Sequence, residues 1–242
     1  MRISSLPGPN ESVKNSDAPE RDLARHLQRL KALRGSGTNP PPRLAELKRW
    51  QSERLAASYA DLSAQPRYGD ATRFFLEDLY GPKDFSERDE ELIRIMPAMS
   101  RILPASAVET AALAIELEAL SESLDHRVAA ALAGGPIDDA AYSRAYRAGS
   151  TRPERERQIE LIDAVGRSLD SLVHKPLVSK ALRVMRGPAH LAGLGDLQEF
   201  LERGFSAFRS MDGAAEFLDT LAQREKSILN RLFSGDPKPF SV

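Results

Sequence analysis

Cysteine is absent from this chain. Disulfides, thiolate nucleophiles, cysteine-ligated zinc and iron–sulfur clusters are therefore excluded. Histidine is scarce, at four in 242 residues, and tryptophan occurs once. No Gly-x-Ser-x-Gly elbow stands in for the missing nucleophile. An excess of one charge is missing as well. The 34 Lys and Arg balance 35 Asp and Glu, for a net charge of −1. No overall field then draws the chain to nucleic acid or to an anionic membrane. No apolar run approaches the roughly 20 residues of a membrane span. Residues 1–16 carry no apolar stretch of the kind a secretion signal needs. The expected location is the cytoplasm. Strand-like alternation is lacking throughout, and so is any fixed repeat.

What is present is apolar residues at helical spacing, cut by Gly, Pro and capping residues. Residues 1–17 are rich in Ser, Pro, Asn and Gly and read as a mobile tail. Asp17 and Pro19 open a first helix with Leu23, Leu27, Leu30 and Leu33 on one face. Asn39-Pro-Pro-Pro42 is a stiff connector. A second helix is predicted from Arg43 to about Ser63, with the sole tryptophan, Trp50, as a core anchor. These two helices are basic and the stretch after them is acidic. Attraction between the two halves accounts for this pattern more simply than a nucleic-acid face, for which no recognition motif is present.

Asp70 is placed to cap a short helix bearing Phe74, Phe75, Leu76, Leu79 and Tyr80. Gly81-Pro82 ends it, and Ser86 opens the next, which Pro97 should kink and Pro104 should end. Ser106-Ala-Val-Glu109 reads as a capping box for a long helix to about Ala133. Its Ala111-Ala-Leu-Ala-Ile115 is apolar all round, which places it at the centre of the fold. Asp138 caps the next helix, and Thr151-Arg-Pro-Glu154 boxes the one after it. A further helix is predicted from Leu177 to a stop at Arg186-Gly-Pro188, with a turn from His190 to Gly195. Asp196 and Asp212 are assigned as caps of the last two helices. Residues 235–242 form a C-terminal tail. The expectation is an all-α single domain over 18–234, a bundle of about eight to ten helices without a sheet.

Chemistry-bearing residues form three groups. Glu122 with His126, and Asp170 with His174, are each four apart, so each pair shares a helix face. Two such helices could hold metal between them, although bundle metal sites use Glu-x-x-His with further glutamates. Solvated charge pairs are the simpler reading. His190, with Arg186 beside it, is the most site-like histidine. Gly193-Leu-Gly195 precedes a helix N-terminus that could attract an anion, but no strand precedes it and no Lys-Ser/Thr follows. No cofactor is expected.

The segment Phe74-Phe-Leu-Glu-Asp-Leu-Tyr-Gly-Pro82, together with Gly193-Leu-Gly-Asp-Leu-Gln-Glu-Phe-Leu-Glu-Arg-Gly-Phe205, resembles an uncharacterised group of bacterial helical proteins. The resemblance covers roughly Arg43 to Ser234. It implies one domain and brings no activity with it.

The functional expectation is an intracellular binding or adaptor protein. A groove between helices near Phe74, Phe75 and Tyr80, with Arg186 and His190 as further contacts, would hold a partner segment or an apolar small molecule. A metal-dependent bundle enzyme and a nucleic-acid binder through the first two helices are the alternatives. Oligomeric state is left open, homo-oligomers included.

Overall fold

The computed structural model describes residues 18–34, 39–79 and 104–241. Tyr80, the Gly81-Pro82 turn and the Ser86 helix with Pro97 lie outside the described residues, as does the N-terminal tail.

Ten α-helices and one π-helical turn occur among the described residues, with no strand. They are α1 (Ala18–Arg34), α2 (Leu44–Ser58), α3 (Ala60–Ser63), α4 (Gly69–Phe74) continued by a π-helical turn (Phe75–Leu79), α5 (Ala105–Ala131), α6 (Asp139–Gly149), α7 (Arg152–Val173), α8 (Pro176–Leu191), α9 (Gly195–Ser210) and α10 (Ala215–Ser234). None is long and apolar enough to cross a membrane.

The long α5 is central, as its apolar composition requires. It packs against α1, α2, α6 and α7. The predicted α1 seam closes on it: Leu23, Leu27, Val108, Ala112 and Ile115 form one buried cluster. A second cluster joins Leu47 of α2 to Val128, Tyr142, Tyr146, Ile159 and Leu229. A third gathers the aromatic corner with the facing residues of α9 and α10, including Phe74, Phe75, Phe208 and Phe217.

Two predicted starts hold. Asp138 Oδ1 accepts from the Ala141 N–H at 2.7 Å. The Thr151 N–H and hydroxyl both donate to Glu154 Oε2, at 2.9 and 2.8 Å. With Arg127 also donating to Glu154 at 2.7 Å, that carboxyl is held down to about 2, chiefly by the Arg127 contact.

Other boundaries differ, each for a local reason. The second helix is not continuous to Ser63. Tyr59 leaves helical geometry at φ −119°, ψ 17°, and its hydroxyl donates to Glu225 on α10 at 2.7 Å. Asp70 does not cap α4. The N–H groups of Tyr68 and Gly69 both reach the Gln65 carbonyl, and Asp70 pairs with Arg73 instead. Pro104 is the N-cap residue of α5, so Ser106 falls inside its first turn and accepts from Lys175 Nζ at 3.1 Å.

α8 does not stop at Gly187-Pro188. The N–H that Pro188 lacks would have met the carbonyl of Val184, whose side chain is 63 % exposed, so water can serve that carbonyl. The helix closes one turn later. The Leu194 N–H donates to Ala189 O and the Gly193 N–H to His190 O, with Gly193 at φ +71°. This is a Schellman end, and it moves His190 from a turn into the last turn of a helix. α9 begins directly after it at Gly195, with Asp196 in its first turn rather than at its cap. Asp212 sits in the following turn at φ +50°, and α10 starts after Ala214.

The C-terminal segment folds back. Pro239 is buried, and the Phe240 ring lies 5.7 Å from Trp50 and 5.9 Å from Tyr142.

Candidate functional site

A cavity of about 160 Å³ lies where the aromatic cluster of the corner meets the cluster built on α5, α6 and α7. Its walls come from α2, α3, the corner, α5, α6, α7 and α10. The apolar part of its lining includes Phe75, Leu76, Ile162, Leu218 and Leu221. The π-helical turn starts at Phe75, and such widened turns recur at functional sites.

The lining is also rich in charged and polar groups. Glu122 on α5 is 5 % exposed. Lys48 Nζ donates to its two carboxylate oxygens at 2.8 and 3.1 Å. Gln51 donates to Asp125 Oδ1 at 3.0 Å. Arg54 and Tyr59 both donate to Glu225 Oε1, at 3.2 and 2.7 Å. Burial first, and then the neighbouring Glu225 carboxylate, push the Tyr59 hydroxyl far up, so it stays a donor. Burial also pushes the Asp125 carboxyl up, against the Gln51 hydrogen bond and the nearby Arg155 and Lys48 charges.

Arg155 on α7 is the most unusual member of the wall. It is 5 % exposed. Its Nη1 donates to Gln158 Oε1 at 2.9 Å, and Gln158 is anchored in turn on Ser121 Oγ at 2.8 Å. Its guanidinium lies 4.2 Å from the Tyr146 ring centre. Its Nε and Nη2 have no hydrogen-bond partner, as is also true of Arg54 Nε and Asp163 Oδ1. Buried polar atoms are usually paired, so one cavity wall with several unmatched ones calls for an explanation.

The sequence-predicted residues are dispersed. Phe75 reaches the cavity. Phe74 is buried behind it, its ring 5.3 Å from Phe200 and pressed so closely on Gly204 that a Cβ there would stand 2.7 Å away. Tyr80 lies outside the described residues. Arg186 and His190 are exposed on α8, away from the cavity, and Arg186 is clamped to Glu202 at 2.9 and 2.5 Å.

The two carboxylate–histidine pairs do not converge. His126 Nε2 is 3.3 Å from Glu122 Oε1, beside the cavity. His174 is 3.8 Å from Asp170, and Asp170 Oδ1 accepts from the Ala214 N–H at 3.1 Å. Asp170 thus caps α10 from a neighbouring helix, a task that helical spacing within α7 does not reveal. Among the described residues no three His, Asp or Glu side chains gather to hold an ion.

Three basic residues at the second helix, Arg43, Lys48 and Arg54, are also engaged. Arg43 binds Glu46 and the Ala133 and Gly135 carbonyls, and Lys48 and Arg54 turn inward. The acidic Asp61 and Asp78 pair with Arg224 and Arg203 on the last two helices. These described pairs link part of the acidic stretch to later elements, while Asp84, Glu87, Asp89, Glu90 and Glu91 lie outside the described residues.

The residues that sequence reasoning missed are Arg155, Lys48, Gln51 and Glu225. Arg155 did leave a signal. It lies four positions before Ile159 and seven before Ile162, which puts a guanidinium on the buried face of α7.

Fold and cavity together define a helical bundle with an internal, amphipathic pocket and no recognisable catalytic constellation among the described residues. The chain belongs to a family described as a domain of unknown function (DUF8198), whose model matches residues 32–239. The match begins within α1 and reaches the buried Pro239, wider at both ends than the expected Arg43 to Ser234. No curated protein and no solved structure matches the chain.

Proposed function

We propose that this protein binds a small molecule with an apolar body and a polar end inside the inter-helix cavity. The observation that carries the reading is the cavity itself. It is concave, and its lining combines polar and charged groups with apolar side chains from the buried corner, as in ligand pockets. Its volume of about 160 Å³ suits a small molecule and not a peptide segment, which favours the small-molecule half of the expectation. An apolar cavity of about 150 Å³ is large enough for benzene. A cytoplasmic setting is part of the same proposal and is tested by cell fractionation.

The test is thermal unfolding with hexanol, benzamide and hexanoate as probes. Binding to the folded state alone raises the melting midpoint by about 2–4 °C per kcal/mol of linkage. Ala222→Phe, which puts a ring into the cavity wall, should abolish that rise. Equal shifts in wild type and in a folded Ala222→Phe protein would place the binding elsewhere and end the proposal.

A further inference from the structure

We infer that α8 docks the protein on an anionic lipid surface, its exposed apolar row entering the headgroup region while Lys180 and Arg183 meet the lipid charges. This role is separate from the cavity.

Exposed apolar surface is concentrated on one element. Among the described residues the exposed large hydrophobic side chains are Leu177, Val184, Met185 and Leu191, and all stand on α8. Leu177, Val184 and Leu191 are 64 %, 63 % and 92 % exposed. They are spaced seven apart, and seven residues fall only about 20° short of two full turns. They therefore line up as one row, about 21 Å long. Single exposed apolar residues need no explanation, but a row of them on one helix marks an interaction surface.

The row does not line a groove. Residues 183–188 are exposed without interruption, and six successive helical residues pass through more than a full turn. The middle of α8 is thus open on every side, and Ala189 is the one residue of this helix that is fully buried. A helix side that stands clear of the fold suits a flat partner rather than an inserted segment.

The charge beside the row selects the partner. From His174 to Gly195 there is no Asp or Glu, although acids make up 35 of the 242 residues. Lys180, Arg183 and Arg186 follow one another three apart and form a basic edge along the row. Arg186 and Arg203 already match Glu202 and Glu199 of the neighbouring α9. Lys180 and Arg183 are exposed, and no carboxylate among the described residues pairs with either. An apolar row with a basic edge is the pattern of helices that lie in a membrane interface. A second copy of the chain fits it less well. In a two-fold contact the same patch meets itself, which sets Lys180 and Arg183 against their own copies. The net charge of −1 gives the whole chain no attraction to an anionic surface, so α8 acts as a local anchor.

The experiment is co-sedimentation of the full chain with phosphatidylcholine vesicles, with and without about 30 mol % phosphatidylserine. Wild type is expected to bind the phosphatidylserine vesicles about fivefold or more tighter than phosphatidylcholine alone. Raising the salt from about 0.1 to about 0.5 M should remove that gain. The double variant Lys180→Glu, Arg183→Glu should remove it too. The double variant Leu177→Ser, Val184→Ser should weaken binding to both kinds of vesicle by about fivefold or more. All four side chains are exposed, so melting midpoints close to that of wild type are expected. Leu191→Ser serves if the Leu177 and Val184 pair does not fold. Failure of wild type to bind either vesicle overturns the inference, as does binding that survives both double variants. A wild-type dimer in analytical ultracentrifugation that Leu177→Ser, Val184→Ser dissociates would assign the row to a second copy and also overturn it. The cavity reading stands or falls separately.

Discussion

Asp125 is a carboxyl group that folding works against. It sits on the inward face of the central helix, and burial pushes its proton affinity up. The folded state then binds the proton more tightly than the unfolded chain does. Above the ordinary aspartate value of 3.8, the group subtracts stability as pH rises. Asparagine keeps the acceptor for Gln51 and cannot ionise. Asp125→Asn is therefore expected to melt higher than wild type at pH 7, with the gap closing as pH falls toward 3.8. Thermal melts across pH 4–8 check this, and a variant that melts lower than wild type at pH 7 would sink it. At this scale the sequence was a partial guide. The burial of Phe74 and Phe75 followed from apolar clustering. The inward turn of Lys48, Asp125 and Arg155 did not, because a charged side chain on an apolar face is read as an exception until its partners on other helices are known.

The helices show how starts and stops are shared between neighbours. Asp170 lies near the end of α7, yet its side chain satisfies an N–H at the start of α10. Removing that acceptor leaves the first turn of α10 one bond short. Asp170→Ala is expected to cost about 1 kcal/mol in urea unfolding, and Asp170→Asn much less, because asparagine also caps well. Chelator should leave the wild-type midpoint unchanged. A midpoint that falls on chelation, or an Asn variant as weak as the Ala variant, would return Asp170 and His174 to the metal reading. Helix existence was legible almost everywhere among the described residues, since apolar spacing and turn residues are local properties. Caps were less so. Asp138 and Thr151 act on their own helices, while Asp70 was displaced by a backbone carbonyl, Asp196 by a glycine-closed end and Asp212 by Asp170 from a neighbouring helix.

Across the whole molecule, separate core clusters meet around a cavity, and the C-terminal segment returns to cover one of them. Phe240 contacts Trp50 and Tyr142, with the Arg54 guanidinium 5.3 Å from its ring. Because Trp50 is the sole tryptophan, its emission reports directly on this closure. Phe240→Ala is expected to shift that emission to the red and to lower stability by about 2 kcal/mol, roughly half the usual cost of removing a fully buried phenylalanine ring. Unchanged emission would mean that the segment does not rest on Trp50 in solution.

The amino-acid sequence alone determined that the fold is all-α, which helix is central, and that apolar aromatics gather at the corner. Those properties depend on hydrophobic spacing along one stretch of chain. The tertiary structure alone decided where the cavity opens, that Arg155 lines it with one edge unpaired, and that Asp170 caps α10. Each of these depends on which atoms of distant helices come within hydrogen-bond reach, and periodicity within a single helix carries no record of its neighbours' register.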